Sequence, residues 1–503
     1  MPGSARRRRV RWAVGGGVAL VVLALVVVAA WPRLLILRHG GNDGRGNAVI
    51  PDAGAPLPGS WPTPTPVTST PPAGQPAYVS AVSADRRSFV DQYGRPLLIR
   101  GDSPWSLLVD TSRAQAETYF ATRAKQGFNA AIVSLLGATG NGAPSDDGAT
   151  YDGLRPFVGT DATRFNEAYW ARVRSYLKVA ARNGVTVFLY ASDAWVVGRS
   201  FRPANVAACS TYGEQVAAHL AGLPNLVWMA GGDYVPRPAD VAGGSAVDHC
   251  IDAMMRGIRS TGDNHLFSVQ LGFDGAFLTT DYPFWASRTD WNFVYTYFPT
   301  YSAVRAAYMR TPTMPALLGE ANYERENNQP DTPTTTTETL RRQTLWALTS
   351  GAAGDFFGTA DWSLPDGWET RLDSPGALQV NADRDVVAGL PWWRLRPDTT
   401  GRFLLAGAGT AVDRSARLDV LASDLATATV ADDGTAALVY VPTSRTITVD
   451  PTVLAVGTTV TWVDPSDAST RPAALTTSYL TPGRNHDGGE DWLLRFASPS
   501  TQR

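Results

Sequence analysis

Along the middle of the chain, short apolar runs of strand length recur, separated by stretches whose apolar residues fall at helical spacing. The strand-like runs end at Arg100 and then span 129–136, 185–190, 225–230, 265–271, 293–297, 316–318 and 355–358. Helical stretches lie at 113–126, with Ser112 as cap, and at 164–183, 208–221, 247–260, 302–309 and 337–350. This alternation predicts a parallel sheet, and eight strands fit a closed (β/α)8 barrel better than an open sheet. An open doubly wound sheet is the alternative, but no strand here is followed by G-x-G-x-x-G or by a phosphate loop. The least regular places are 273–285, which reads as a long loop, and the short seventh strand.

Both flanks of this region follow other patterns. Beyond residue 398, short alternating or β-branched runs at 403–405, 418–422, 426–431, 436–441, 446–449, 458–463 and 492–496 predict an antiparallel β-sandwich over 398–497. That module is either a packing partner for the barrel or a sugar-binding surface. At the other end, Arg6 to Arg9 and Arg11 precede an uncharged apolar run from Trp12 to Trp31, long enough to cross a bilayer. Residues 1–11 are then a basic cytoplasmic tail, 12–31 a transmembrane signal-anchor, and everything later lies outside the cell membrane. A cleaved signal peptide is the rival, because Val28-Ala29-Ala30 offers small residues for cleavage. Residues 32–77, which include WPTPTPVTSTPPAGQP, are rich in Pro, Thr and Gly and form an extended linker to a catalytic domain over 78–397.

Composition narrows the chemistry. Of 503 residues 44% are hydrophobic and 10% aromatic, which is the balance of a globular protein. Lys and Arg number 44 against 46 Asp and Glu, and this near balance argues against nucleic acid as a partner. The five His are scattered without zinc-site spacing, so no metal and no other cofactor is expected. Two cysteines, Cys209 and Cys250, are open to one disulfide or to two buried thiols. Oligomeric state is not legible.

In a barrel, residues just after the strands gather on one face and build the site. The fourth strand runs into NLVWMAGGDY, ending at Asp233 and Tyr234, and the seventh into PALLGEANYE, carrying Glu320, Tyr323 and Glu324. Two carboxylates on different strand ends are the minimum for hydrolysing a glycosidic bond, one donating a proton and the other attacking or activating water. Other strand ends supply Asp102 and Trp105, then Tyr190 with Asp193 and Trp195, Gln270, Tyr295 with Tyr297, and Asp361 with Trp362. From these, Asp102, Trp105, Tyr190, Tyr234, Gln270, Tyr297, Tyr323, Glu324 and Trp362 are the expected substrate-binding set, with Glu324 the fallback nucleophile. Carboxylates and rings with few cations suit a neutral sugar.

Whole segments are similar to one family. RPLLIRGDSPWSLLVDTSRAQAETYFATRAKQGFNAAIVSLL resembles the opening of the apiosidase-like (β/α)8 glycoside hydrolases, and NLVWMAGGDY and LLGEANYE resemble their two catalytic-strand motifs. AALVYVP, TVTWVDPSDA and PGRNHDGGEDWLLRF resemble the collagen-binding-type β-sandwich that accompanies them. The resemblance runs over roughly 78–497 and implies a glycosidase acting on a poly- or oligosaccharide, with Asp233 as acid/base and Glu320 as nucleophile. Asp replaces the Glu of the wider barrel clan at the fourth strand. A retaining mechanism therefore depends on a carboxylate separation of about 5–5.5 Å. For that cycle Asp233 should hold its proton more tightly than usual while Glu320 stays ionised. The alternative is a non-catalytic surface module that binds a glycan or a protein.

Overall fold

The structure, a computed structural model, describes residues 72, 74–201, 205–235, 243–273, 278–328 and 334–499. The anchor expected over 12–31 and most of the linker lie outside these residues. Among the described residues no helix is long and apolar enough to cross a membrane.

Eight parallel strands make the central sheet: β1 (Ile99–Asp102), β2 (Ala130–Ser134), β3 (Thr186–Asp193), β4 (Leu226–Tyr234), β5 (Phe267–Leu271), β6 (Asn292–Tyr295), β7 (Ala316–Glu320) and β8 (Ala352–Phe357). Neighbouring strands pair in the order β5-β4-β3-β2-β1-β8-β7-β6, so the sheet curls into a barrel with one seam, between β5 and β6. The seam is closed without a regular ladder. Asp290 N donates to Phe267 O at 2.9 Å, and the Thr279 hydroxyl donates to Val269 O at 2.7 Å while accepting from Phe293 N. The stretch expected to be a long loop thus contributes its 3₁₀ turn, Thr279–Asp281, to the barrel wall.

The strands are β-rich and apolar, and alternate residues sort into two layers. Ile99, Ile132, Phe188, Tyr190, Val227, Met229, Phe293 and Leu317 fill the barrel, whereas Leu189, Trp228 and Val269 face the helices. The N-terminal hairpin, Val79–Val82 with Phe89–Asp91, pushes Phe89 into the barrel interior against Trp291. The outer layer includes α1 (Arg113–Lys125), α2 (Glu167–Arg182), α3 (Val206–Leu220), α4 (Ala246–Ser260), α5 (Thr300–Tyr308) and α6 (Thr337–Thr349). Ser112 caps α1 in a reciprocal capping box with Gln115, as its position predicts. Cys209 on α3 and Cys250 on α4 form a disulfide, which settles the open choice between a bridge and two thiols.

Three strands carry extra residues near their C-terminal ends. In β7, Leu317 and Leu318 lie opposite Phe293 and Val294, but Glu320 rather than Gly319 lies opposite Tyr295. In β4, Gly231 is paired with Gln270 and Tyr234 with the very next residue, Leu271, so Gly232 and Asp233 bulge out of the ladder. A similar slip in β3 separates Tyr190 from Ser192. Such bulges re-aim side chains.

The C-terminal part is two antiparallel sheets that share a core, including Phe403, Ile447 and Tyr479 from one and Val439, Trp462 and Phe496 from the other. Five expected strands are found with ends shifted by at most one residue; 418–422 is instead a 3₁₀ turn at Val420–Ala422, because the Asp419 carboxylate caps Leu421 N at 2.8 Å. The 403–405 run is displaced to Leu404–Ala406. Three strands were not legible: Leu395–Pro397, Thr470–Ala473 and Ser478–Leu480. The last two expose most of their side chains and so lack an apolar rhythm.

α6 joins barrel to sandwich and is buried from Thr339 to Thr349. Arg341 is clamped bidentately by Asp491, at 3.1 and 3.0 Å, with both side chains almost fully buried. Arg342 donates to the carbonyls of Ser423 and Pro442, and the Trp346 indole to that of Leu425.

Arg341→Leu should therefore lower stability by about 3–5 kcal/mol, because Asp491 is left buried and unpaired. Adding Asp491→Leu should recover a large part of that loss. A Cβ on Gly319 would stand 2.2 Å from the Phe293 ring. Gly319→Ala should cost about 1–3 kcal/mol through this overpacking. Denaturant midpoints measure both effects.

Candidate active site

Glu320 is buried, and the bulge in β7 decides where it points. Ala316 and Leu318 face the outer layer beside α5, so strict alternation would turn Glu320 outward as well. The extra residue places it opposite Tyr295, on the face that fills the barrel. There its Oε2 accepts from Gln270 Nε2 at 2.6 Å, and the Tyr323 and Tyr295 hydroxyls favour its charged form. Gln270 Oε1 accepts from the Tyr190 hydroxyl. The Tyr323 oxygen accepts from the Trp105 indole at 2.8 Å, and Tyr295 pairs with Tyr297 at 2.6 Å.

Asp233 is delivered by a different device. Gly231, Gly232 and Asp233 are three successive left-handed residues, with φ of 96°, 82° and 49°. Aspartate tolerates this region better than most side chains, and glycine adopts it freely. Gly231 is needed for space as well, since a Cβ there would stand 1.9 Å from the Gln270 carbonyl oxygen. The turn carries Asp233 over the barrel mouth, where its charge is felt by Glu320, Tyr190, Tyr295 and Tyr297. The Tyr295 hydroxyl favours the charged forms of both Asp233 and Glu320. Asp233 Oδ1 is buried without a hydrogen-bond partner among the described residues.

Burial raises the proton affinity of both carboxyls. For Asp233 it is the dominant cause. Glu320 is pushed well above the usual range by burial first and by the Asp233 charge second, against the pull of Tyr323, Gln270 and Tyr295. The expectation that only Asp233 would be raised is thus corrected: two like charges in one desolvated pocket oppose each other's ionisation. A third buried carboxyl, Asp193, is pushed up to about 6 by burial. It caps the helix Ala194–Ser200, accepts from Asn141 Nδ2 at 2.6 Å, and supports the Gly232 turn from below.

The expected set divides cleanly. Trp105, Tyr190, Gln270, Tyr297 and Tyr323 converge with the two carboxylates. Three others are held elsewhere. Asp102 points outward to α1, where Arg123 Nε at 2.5 Å and the Tyr119 hydroxyl engage it. Tyr234 turns to the start of α4, bonding Ser245 Oγ and Asp248 Oδ2 at 2.8 and 2.9 Å. Glu324 accepts from Ser374 and from Gly376 N at 2.7 Å, which caps the short helix Pro375–Gln379 and removes it as a fallback nucleophile. Trp362 stays partly exposed, with its indole N–H given to Glu326 Oε1 at 2.7 Å. Tyr295, visible at a strand end but given no role, acts electrostatically on both carboxyls. Asn141 and Ser134, which hold Asp193, carried no sequence signal. Among the described residues no three His, Cys, Asp or Glu side chains gather as a metal ion would require.

Comparison with known proteins agrees with this architecture. A structure described as a glycoside hydrolase superposes with a TM-score of 0.69 at 19% identity, covering 86% of this chain and 99% of its own. A glycoside hydrolase family 5 protein from Bacteroides vulgatus ATCC 8482 gives the same TM-score and identity, covering 84% of this chain and 94% of its own. At such identity these two establish the fold. No curated protein matches the chain. The family model for the apiosidase-like catalytic domain matches residues 83–394. The chain belongs to the apiosidase-like family of barrel glycosidases.

Proposed function

We propose that this protein is a membrane-anchored, extracytoplasmic glycosidase that cleaves O-glycosidic bonds of a poly- or oligosaccharide by a retaining mechanism. The observation that carries the reading is the β7 bulge, which turns Glu320 into the barrel beside Asp233 and among hydrogen-bond donors. Tyr295 favours the charged form of both carboxyls, which supports reading them as one pair; a retaining mechanism needs them about 5–5.5 Å apart.

The roles follow from the hydrogen bonds. Donors converge on Glu320, which favours its ionised form, while Asp233 has an unpartnered oxygen and can hold the proton the pair shares. Asp233 then gives that proton to the glycosidic oxygen as the Glu320 carboxylate bonds to the anomeric carbon and the leaving group departs. In the second step the Asp233 carboxylate takes a proton from water, the resulting hydroxide attacks the anomeric carbon, and the ester bond to Glu320 breaks. Trp105, Tyr297 and Trp362 offer aromatic surface to the sugar. The Cys209–Cys250 disulfide fits an oxidising compartment, in keeping with an anchor over 12–31 that leaves the rest of the chain outside.

Screening the purified chain against plant and cell-envelope polysaccharides should show sugar release. Asp233→Asn and Glu320→Gln should each lower it by about 10²–10⁴-fold or more with the fold intact. Release that survives both changes would mean other carboxylates do the chemistry; binding without release would make this a glycan-binding module. Activity should fall as pH drops through a value above the roughly 4.3 of free glutamate, because the ionised form of Glu320 is needed and its proton affinity is raised. On an aryl glycoside with a good leaving group, Asp233→Asn should leave that acidic limb near its wild-type position, since Asp233 is already uncharged where Glu320 takes up its proton.

A further inference from the structure

Gln270 touches both halves of the catalytic apparatus. Its backbone lies opposite Gly231, so close that a Cβ there would meet the Gln270 oxygen at 1.9 Å, and its side chain reaches across the barrel to Glu320 at 2.6 Å. Both ends of the amide are engaged by protein, Oε1 by the Tyr190 hydroxyl and Nε2 by the Glu320 carboxylate. With 1% of its surface exposed, Gln270 has little left to offer a sugar. Tyr190 is fully buried, its ring against Trp105 at 4.9 Å.

We propose that Tyr190 and Gln270 are positioning residues that hold an N–H donor on Glu320, making it the acceptor-only, nucleophilic member of the carboxylate pair. This rests on the two-carboxylate reading above and revises the expectation that both residues bind substrate. An amide has one accepting end and one donating end, and an ionised carboxylate only accepts. Flipping Gln270 would set its oxygen against the Glu320 carboxylate and lose that buried bond, while the Tyr190 oxygen would have to accept from the amide and its O–H would lose the Gln270 oxygen. Tyr190 keeps its proton at any working pH, because burial and the Glu320 charge push its ionisation well upward. It therefore keeps an O–H to give to Gln270 Oε1, which holds the Nε2 end toward Glu320.

The titratable groups facing Glu320 are Asp233 from β4, Tyr190 from β3, Tyr295 and Tyr297 from the β6 end, and Tyr323 beyond β7. Of these, Asp233 is the acid whose charge opposes that of Glu320, and the tyrosines are neutral. Gln270 is the non-titrating donor among the groups that hold Glu320, so its removal should be visible in the Glu320 titration.

The test is an infrared titration of the carboxyl stretch in the full chain, with Glu320→Gln identifying the Glu320 band. The Glu320 midpoint should rise by at least about one pH unit in Gln270→Leu and further in the isosteric Gln270→Glu, which replaces a donor by a negative charge. Tyr190→Phe, which deletes one oxygen, should give a smaller rise. A midpoint that stays at the wild-type value in both Gln270 variants overturns the proposal. If Gln270→Leu moves it and Tyr190→Phe does not, the Tyr190 half is wrong. In turnover, KM of Gln270→Leu should stay within about twofold of wild type while the acidic limb of kcat/KM moves upward. A raised KM with an unmoved limb would make Gln270 a sugar contact instead. The infrared midpoints decide the matter even if the chain hydrolyses none of the sugars tried, and failure of the glycosidase reading shows separately as sugar release that survives Glu320→Gln.

Discussion

A single extra residue in β7 governs the site. Parallel strands alternate their side chains between barrel and helix layer, and the apolar residues of β7 obey that rule as far as Leu318. Continued regularly, the strand would bury a glutamate against α5, at a desolvation penalty no neighbour there offsets. The slip at Gly319 turns Glu320 inward, and it is possible only because residue 319 is glycine, since the Phe293 ring occupies the space a side chain there would need. The geometry of the candidate site and the strand register are thus one feature.

The β4 turn solves the same problem by another route. Three left-handed residues lift Asp233 out of the ladder, and the neighbours of the turn pin it on both sides. Below it lies Asp193, held by Asn141 and Ser134; beyond it Tyr234 is tied to Asp248, which also accepts from Tyr282 and from the Trp285 indole. Backbone strain of this kind persists only where the surroundings over-determine it. Tyr234 therefore contributes to the site through the conformation of its neighbour rather than through a sugar.

The sandwich is docked through α6, whose buried arginines find carboxylate and carbonyl partners on the sandwich side. Buried charges paired this way are specific in geometry, because each loses its hydration and must be answered by a particular acceptor. These contacts pack the sandwich against the barrel.

Much of this was legible from the chain alone. The eight strands, the helices between them and the cap at Ser112 follow from apolar periodicity and local hydrogen-bonding chemistry, which act over a few residues. The motifs NLVWMAGGDY and PALLGEANYE pointed to Asp233 and Glu320 because a glycine-flanked carboxylate after an apolar run is a local pattern. Which side each residue faces was not legible, since bulge position depends on what the neighbouring strand presents. Asp102, Glu324 and Tyr234 read as site residues by position, yet Arg123, Gly376 and Asp248 draw them away. The edge strands of the sandwich stayed hidden because their side chains are mostly exposed. Sequence by itself determined the elements and the reactive residue types; only the tertiary structure decided register, burial and partnership, because those depend on atoms brought together from strands far apart in the chain.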